Sequence, residues 1–99
     1  MKLTDETEST TTTVAVLTVR IPDASGADLA TDAQRRLNRV EGVHAVTVDG
    51  LRGLDPRVGA TLVTVAVTVE SAVSTDELRV RFGATVSIES VDRLSVVES

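Results

Sequence analysis

The feature that most constrains the fold is a strict alternation of two sets of side chains in segments rich in valine and threonine. It runs through residues 14–21 and again through residues 61–69. A period of two is typical of β-strands, and valine and threonine are strong strand formers. The sequence therefore predicts two strands, and their valine content favours central positions in a sheet. The expected apolar faces are Ala15, Leu17, Val19 and Ile21, and Val63, Val65, Val67 and Val69.

A helical spacing follows the first strand. Ser25 lies three residues before Asp28, which resembles a capping box and predicts a helix that begins near residue 26. Gly42 is expected to end this helix in a left-handed conformation. Asp32 and Arg36 lie four residues apart, which favours an ion pair on the side opposite the apolar stripe. That stripe is expected to consist of Leu29, Ala33, Leu37 and Val40.

A second, shorter helix is predicted after the valine-rich strand. Ser74 and Glu77 have the spacing of a capping box, and Leu78 and Phe82 lie four residues apart on the apolar side. Gly83 is expected to end this helix. The side chains predicted to be buried between the helices and the sheet are Leu37, Val65 and Phe82.

Two further strands are predicted. Residues 45–48 alternate as the second strand, whereas residues 49–59 contain three glycines and a proline and predict a long hairpin loop. The fourth strand is expected to open at Val86 and Ile88. Its alternation changes phase near Ser90, and a β-bulge would explain the change.

The element order is therefore βαββαβ. Two helices with one apolar stripe each can cover one face of a single sheet, which predicts an α+β fold, the ferredoxin-like two-layer sandwich. Right-handed crossovers give an antiparallel sheet with strand order 4-1-3-2. We expect one domain over residues 14–97, preceded by a disordered polar tail over residues 1–13.

Two resemblances bear on this fold. Residues 37–48, LNRVEGVHAVTV, resemble the helix-to-strand join of heavy-metal-associated domains. Those domains carry metal-binding cysteines between the first strand and the first helix, where this chain has residues 22–26, PDASG. This resemblance implies the fold without the metal chemistry.

The second resemblance covers residues 14–97 and is to an archaeal family of short proteins known as domain of unknown function 211. It is carried by residues 82–94, FGATVSIESVDRL, in which Ser90 and Asp92 match the family pattern, and by Pro22. Glu89, Thr18 and Asp23 depart from that pattern. The resemblance implies an archaeal source and a fold with no assigned activity.

Composition excludes several function classes. Ten Lys and Arg against fifteen Asp and Glu give a net charge of −5, and the chain has one aromatic residue, so it lacks the basic field and the stacking rings of nucleic-acid binding proteins. Without cysteine and with a single histidine, His44, it offers no thiolate chemistry and no tetrahedral zinc site. No phosphate-binding loop occurs. We expect a cytoplasmic protein with no cofactor that is not an enzyme, does not span a membrane and does not bind nucleic acid.

The leading hypothesis is a non-enzymatic interaction or regulatory module. In a two-layer sandwich, one face of the sheet meets solvent, and a continuous apolar strip there is typical of a contact surface. This hypothesis predicts self-assembly, or binding of another protein, through this face. The predicted interaction face consists of Val14, Val16, Thr18, Leu62, Thr64 and Ala66.

The alternative is a domain that binds a small ligand or a hard cation through the loop after the first strand. Asp23, Asp28 and Asp32 cluster there, and carboxylate oxygens are what a hard cation prefers. The helix dipole and the Arg36 partner also account for two of these carboxylates. His44 is expected to be a surface or half-buried strand residue rather than a catalytic base. The loop charges Asp49, Arg52, Asp55 and Arg57 are either solvated or part of a recognition surface.

Overall fold

The fold is α+β, with one four-stranded sheet and two helices, in a computed structural model that describes residues 10–23 and 28–97. Each element occurs in the predicted sequence order. The elements are β1 (Thr11–Pro22), α1 (Leu29–Asn38), β2 (Val43–Arg57), β3 (Ala60–Ser71), α2 (Thr75–Gly83) and β4 (Ile88–Val96).

The sheet is antiparallel, with the order β2-β3-β1-β4. Read from the opposite edge, β4 lies beside β1, β1 beside β3 and β3 beside β2. The two central strands pair without interruption over twelve residues each, from Thr11 opposite Ser71 to Pro22 opposite Ala60. Both edge strands, in contrast, carry register shifts.

The core lies between the helices and one face of the sheet. Leu37 of α1 and Phe82 of α2 are fully buried there, and Val65 of β3 lies beneath them, which confirms the predicted core. The side chains of β1 and β3 that share this cluster are Ala15, Leu17, Val19, Ile21, Val63, Val65, Val67 and Val69. Burial of about a dozen such side chains is the main stabilising term for a small domain.

The helix starts confirm one prediction and correct another. Ser74 caps α2, and its hydroxyl oxygen accepts a hydrogen bond from the Glu77 backbone N–H at 3.1 Å. The N-cap of α1 is Asp28, whose carboxylate accepts bonds from both the N–H and the hydroxyl of Thr31 at 2.9 Å, and the predicted cap Ser25 lies outside the described residues. Two simultaneous bonds favour the later cap position.

The start of β1 corrects the predicted domain boundary. The strand begins at Thr11, so residues 11–13 belong to the sheet and not to a tail. Thr13 is fully buried, and its hydroxyl lies 2.9 Å from that of Thr75 at the start of α2. Because this hydroxyl has a hydrogen-bond partner, a polar residue can be buried at this position of the strand. Residues 1–9 of the predicted tail lie outside the described residues.

The predicted long loop of residues 49–59 is wrong over most of its length. β2 continues to Arg57 and turns into β3 through Val58 and Gly59, with φ of +83° at the glycine. Register shifts before Gly50 and before Gly53 each place one extra residue in β2. Bulges accommodate the glycines without ending the strand.

The bulge predicted in the fourth strand is confirmed. Register shifts occur in β4 opposite Val16 and Leu17 and again opposite Thr18 and Val19. Val86, in contrast, does not open the strand. It lies in the connection before Ile88 and is 93% exposed.

Candidate functional site

The face of the sheet opposite the core is the candidate site. Because antiparallel partners point to the same side, the register fixes which residues of β1 and β3 share it. The helices of the described chain pack on the other face. The partners on this open face are Val14 with Thr68, Val16 with Ala66, Thr18 with Thr64, and Arg20 with Leu62.

The six residues predicted to form the interaction face all lie on the open face, but they differ in exposure. Val14 is 39% exposed, and Val16, Thr18, Thr64 and Ala66 are half-buried. Leu62 is only 7% exposed, so it offers little surface for a contact. Val97, two residues after Ser95 in the strand register, adds an exposed apolar side chain that the prediction missed.

A chain of hydrogen bonds links polar groups across this face. The Thr18 hydroxyl donates to Asp92 Oδ2 at 2.8 Å, and the Ser90 hydroxyl donates to Asp92 Oδ1 at 2.9 Å. The Thr64 hydroxyl lies 3.1 Å from that of Thr18. Since a hydroxyl has one proton and Thr18 uses it on Asp92, Thr64 is the donor in that pair. All four side chains therefore have partners.

Bulges bring the acidic residues to these positions. Arg93 pairs with Val16 and Val91 with Leu17, so Asp92 is the extra residue of the β4 bulge. On the other edge, Asp49 is the extra residue between Val48 and Gly50 of β2.

The two edges use the same arrangement. Asp49 accepts a hydrogen bond from Thr68 at 2.8 Å, just as Asp92 accepts one from Thr18. Sequence reasoning found the β4 phase slip, and Ser90 and Asp92 entered only through a resemblance. Asp49 was predicted to be a loop charge, either solvated or part of a recognition surface, because the glycines beside it indicated a loop; the structure places it in β2.

Basic side chains complete the electrostatics of the open face. Arg20 and Arg93 are exposed and form no ion pair with any described residue. Asp49 and Asp92 accept hydrogen bonds from hydroxyls alone within the same part of the chain. The face thus presents guanidinium and carboxylate groups that lack charged partners of their own.

Two of the three carboxylates proposed as a cation site have structural roles in α1. Asp28 caps α1, and the backbone N–H of Thr31 lowers the pKa of its carboxyl. Asp32 is buried and bonds Arg36 Nε at 3.0 Å, so it does not lie on the solvent side of the helix as expected. The Asp23 N–H bonds the Gly59 carbonyl at 3.0 Å. Across residues 10–23 and 28–97, no three metal-ligating side chains form a cluster.

The remaining predicted candidates lie on β2. His44 is exposed, in agreement with the expectation of a surface residue. Asp55 and Arg57 form an ion pair at 2.7 Å, in which the hydrogen bond from Arg57 lowers the pKa of Asp55 and raises that of Arg57. Arg52 is exposed, and it is the extra residue of β2 between Leu51 and Gly53.

No protein-family model matches the chain, and no curated protein shows significant similarity to it. The resemblances to the archaeal family and to heavy-metal-associated domains therefore stay predictions. Within the described residues, neither helix has the length and apolar character needed to cross a membrane.

Proposed function

We propose that this chain is a ferredoxin-like sandwich that acts as a non-enzymatic binding module and associates with a second copy of itself through the open face. The observation that carries the proposal is a sheet face that neither of the two described helices covers. Val14, Val16, Ala66 and Val97 give that face an apolar strip along β1, β3 and the end of β4. Burial of such a strip removes apolar surface from water, which favours association.

Hydrogen bonding among the open-face residues lowers the cost of covering them. Desolvation of a polar group is expensive when its hydrogen bonds are lost. Thr18, Thr64 and Thr68 already bond to neighbours on the same face. A partner can therefore cover these hydroxyls without leaving them unsatisfied.

Charge complementarity favours a second copy as the partner. In a two-fold interface, a contact between one residue of the first copy and another residue of the second copy occurs twice, once in each direction. A face with both signs of charge can therefore pair its arginines with the carboxylates of the other copy. Arg20 and Arg93 can pair with Asp49 and Asp92 of the other copy. A chain with a net charge of −5 otherwise repels its copies, and local pairing offsets this repulsion.

Light scattering coupled to gel filtration tests the proposal. The wild type should have twice the 10.4 kDa mass of one chain, and Val16→Lys should restore the monomer without loss of folding. The control is Val80→Lys, at a 65% exposed position of α2 away from the open face, and it should leave the dimer intact. A monomeric wild type at high concentration and at both low and high salt would rule out self-association. Binding would then have to involve another protein.

The alternative of a ligand or cation site at the loop after β1 has less support. Asp28 and Asp32 already have partners in α1, and Asp23 contributes a backbone bond to the hairpin turn. Membership in the archaeal family is a second proposal, supported by Ser90 and Asp92. These are the two residues of the quoted motif that form the polar chain on the open face.

A further inference from the structure

A groove between the two helices lies on the opposite side of the molecule from the open face. It encloses about 500 Å³, within the range of pockets that hold small molecules. α1 contributes Arg36 to its wall, the turn after α1 contributes Arg39 and Val40, and α2 contributes Arg81. The connection from α2 to β4 contributes Val86.

Three guanidinium groups therefore surround one concave space. Arg36 is fixed by Asp32 at 3.0 Å, and Arg81 is fixed by Glu77 at 2.9 Å and by the Glu41 carbonyl at 2.8 Å. Each of these bonds uses some of the five N–H donors of a guanidinium and leaves others available. A guanidinium held in this way loses little freedom when it binds an anion.

Arg39 differs from the other two. Its side chain forms no ion pair or hydrogen bond with the described part of the chain. Glu41 contributes the one acidic side chain among the residues that line the groove. Asp32 and Glu77 pair with Arg36 and Arg81, so Arg39 is the arginine of the wall that keeps its full set of donors free within the described chain.

Helix ends explain part of this arrangement. Arginines in a last turn interact favourably with the negative end of the helix dipole, and the same dipole disfavours a bound anion. The carbonyl groups there are partly occupied, because the Thr85 hydroxyl donates to the Arg81 carbonyl at 2.7 Å and the Ala84 N–H donates to the carbonyls of Val80 and Arg81. The dipole does not explain why arginines of two separate helices converge on one groove.

Apolar groups complete the groove. Val86 is 93% exposed in the connection before β4, and Val40 lies buried in the wall opposite. An exposed valine that lines the same groove as Arg39 fits a ligand with an apolar body and a charged end.

We infer that this groove binds a small organic oxyanion, a carboxylate or phosphoryl group attached to an apolar body. Arginine matches both groups through paired N–H donors, and the apolar wall selects against the bare inorganic ion. The inference does not depend on self-association through the open face.

Titration of ¹⁵N-labelled protein with phenyl phosphate, benzoate, inorganic phosphate and benzyl alcohol tests the inference. Saturable amide shifts confined to residues 39–41 and 81–87 are expected with phenyl phosphate or benzoate, and the stronger of the two identifies the preferred oxyanion. Inorganic phosphate should bind several-fold more weakly, and benzyl alcohol should cause no saturable shift. Absence of saturation by phenyl phosphate and benzoate at about 20 mM would overturn the inference.

Two pairs of variants distinguish binding of the ligand in the groove from non-specific electrostatic attraction to the protein. Arg39→Gln should weaken binding roughly three- to ten-fold, whereas Arg79→Gln, an exposed position of α2 that does not line the groove, should leave it unchanged. Val86→Glu places a carboxylate beside the guanidinium groups and should abolish binding. Val80→Glu should have no effect. Equal losses in both members of either pair would show non-specific attraction and overturn the inference.

Discussion

The alternating side chains of the central strands form two faces of the sheet, and only one of these faces is buried. On β1, Ala15, Leu17 and Val19 are sealed beneath the helices, whereas Val14 and Val16 on the other side keep contact with water. Threonines occupy the open face in positions where the covered face has valines. Burial of a face therefore depends on whether the helices cover it. The alternation alone indicates that two faces exist and does not show which one is buried.

The largest expected effect lies on the covered face. Phe82→Ala should lower the free energy of unfolding by about 3–5 kcal/mol, because it opens a cavity beneath α2. Urea unfolding measures the change. Val80→Ala on the same helix is the control and should change stability by less than about 0.5 kcal/mol. Similar costs for both variants would mean that α2 does not seal the core.

Leu62 tests how sharply the two faces differ. It lies on the open face but is almost buried, so Leu62→Ala should cost about 2 kcal/mol, at the low end for a buried leucine. Val14→Ala, on the same face and far more exposed, should cost less than about 1 kcal/mol. The same unfolding experiment compares them under conditions that keep both variants monomeric. Equal costs would contradict the difference in burial between Leu62 and Val14.

Two threonines of β1 provide a matched comparison of the faces. Thr13→Val should cost about 1 kcal/mol, because Thr75 loses its hydrogen-bond partner in a buried site. Thr18→Val should cost less, since water can replace the lost bond to the exposed Asp92 carboxylate. It should also weaken self-association, because a second copy would then cover Asp92 Oδ2 and the Thr64 hydroxyl without the bonds that Thr18 makes to them. Thermal unfolding and light scattering measure the two effects, and a larger loss of stability for Thr18→Val would reverse the comparison.

The smallest effect concerns the cap of α1. Hydrogen bonds from Thr31 lower the pKa of Asp28 below its ordinary value of 3.8 in the folded state. The charged cap therefore stabilises the fold above that pH, and the contribution disappears as the pH falls through the lowered pKa. Asp28→Asn keeps a capping oxygen without the charge, so its stability difference from wild type should shrink on acidification. A difference that stays constant from neutral pH to about pH 2 would contradict the lowered pKa.

The edge strands show where sequence patterns succeed and fail. In β4, Ile88, Val91 and Leu94 contact the core. The bulges change the spacing of these apolar residues, so the change of phase in the alternation could be predicted from the sequence. The distal half of β2 extends beyond the helices, and Leu51 and Leu54 remain exposed. Burial imposes no alternation there, so its glycines and proline favoured a loop.

Local signals also failed where two capping residues competed. Ser25 had the spacing of a cap, but Asp28 forms two hydrogen bonds with Thr31 and begins the helix. The open-face pairs, such as Thr18 with Asp92, join residues that are far apart in the chain. No short-range pattern encodes such a pair. The groove likewise depends on the orientation of two helices, which the sequence does not specify locally.

The most direct test of the central claim is a dilution series of ¹⁵N-labelled wild-type protein. If a second copy covers the open face, amide signals of Val14, Val16 and Ala66 should shift with protein concentration, and those of α1 and α2 should not. The shifts should fit the same dissociation constant as the light-scattering mass. Concentration-dependent shifts confined to the helices, or none while the mass shows a dimer, would contradict association through the open face.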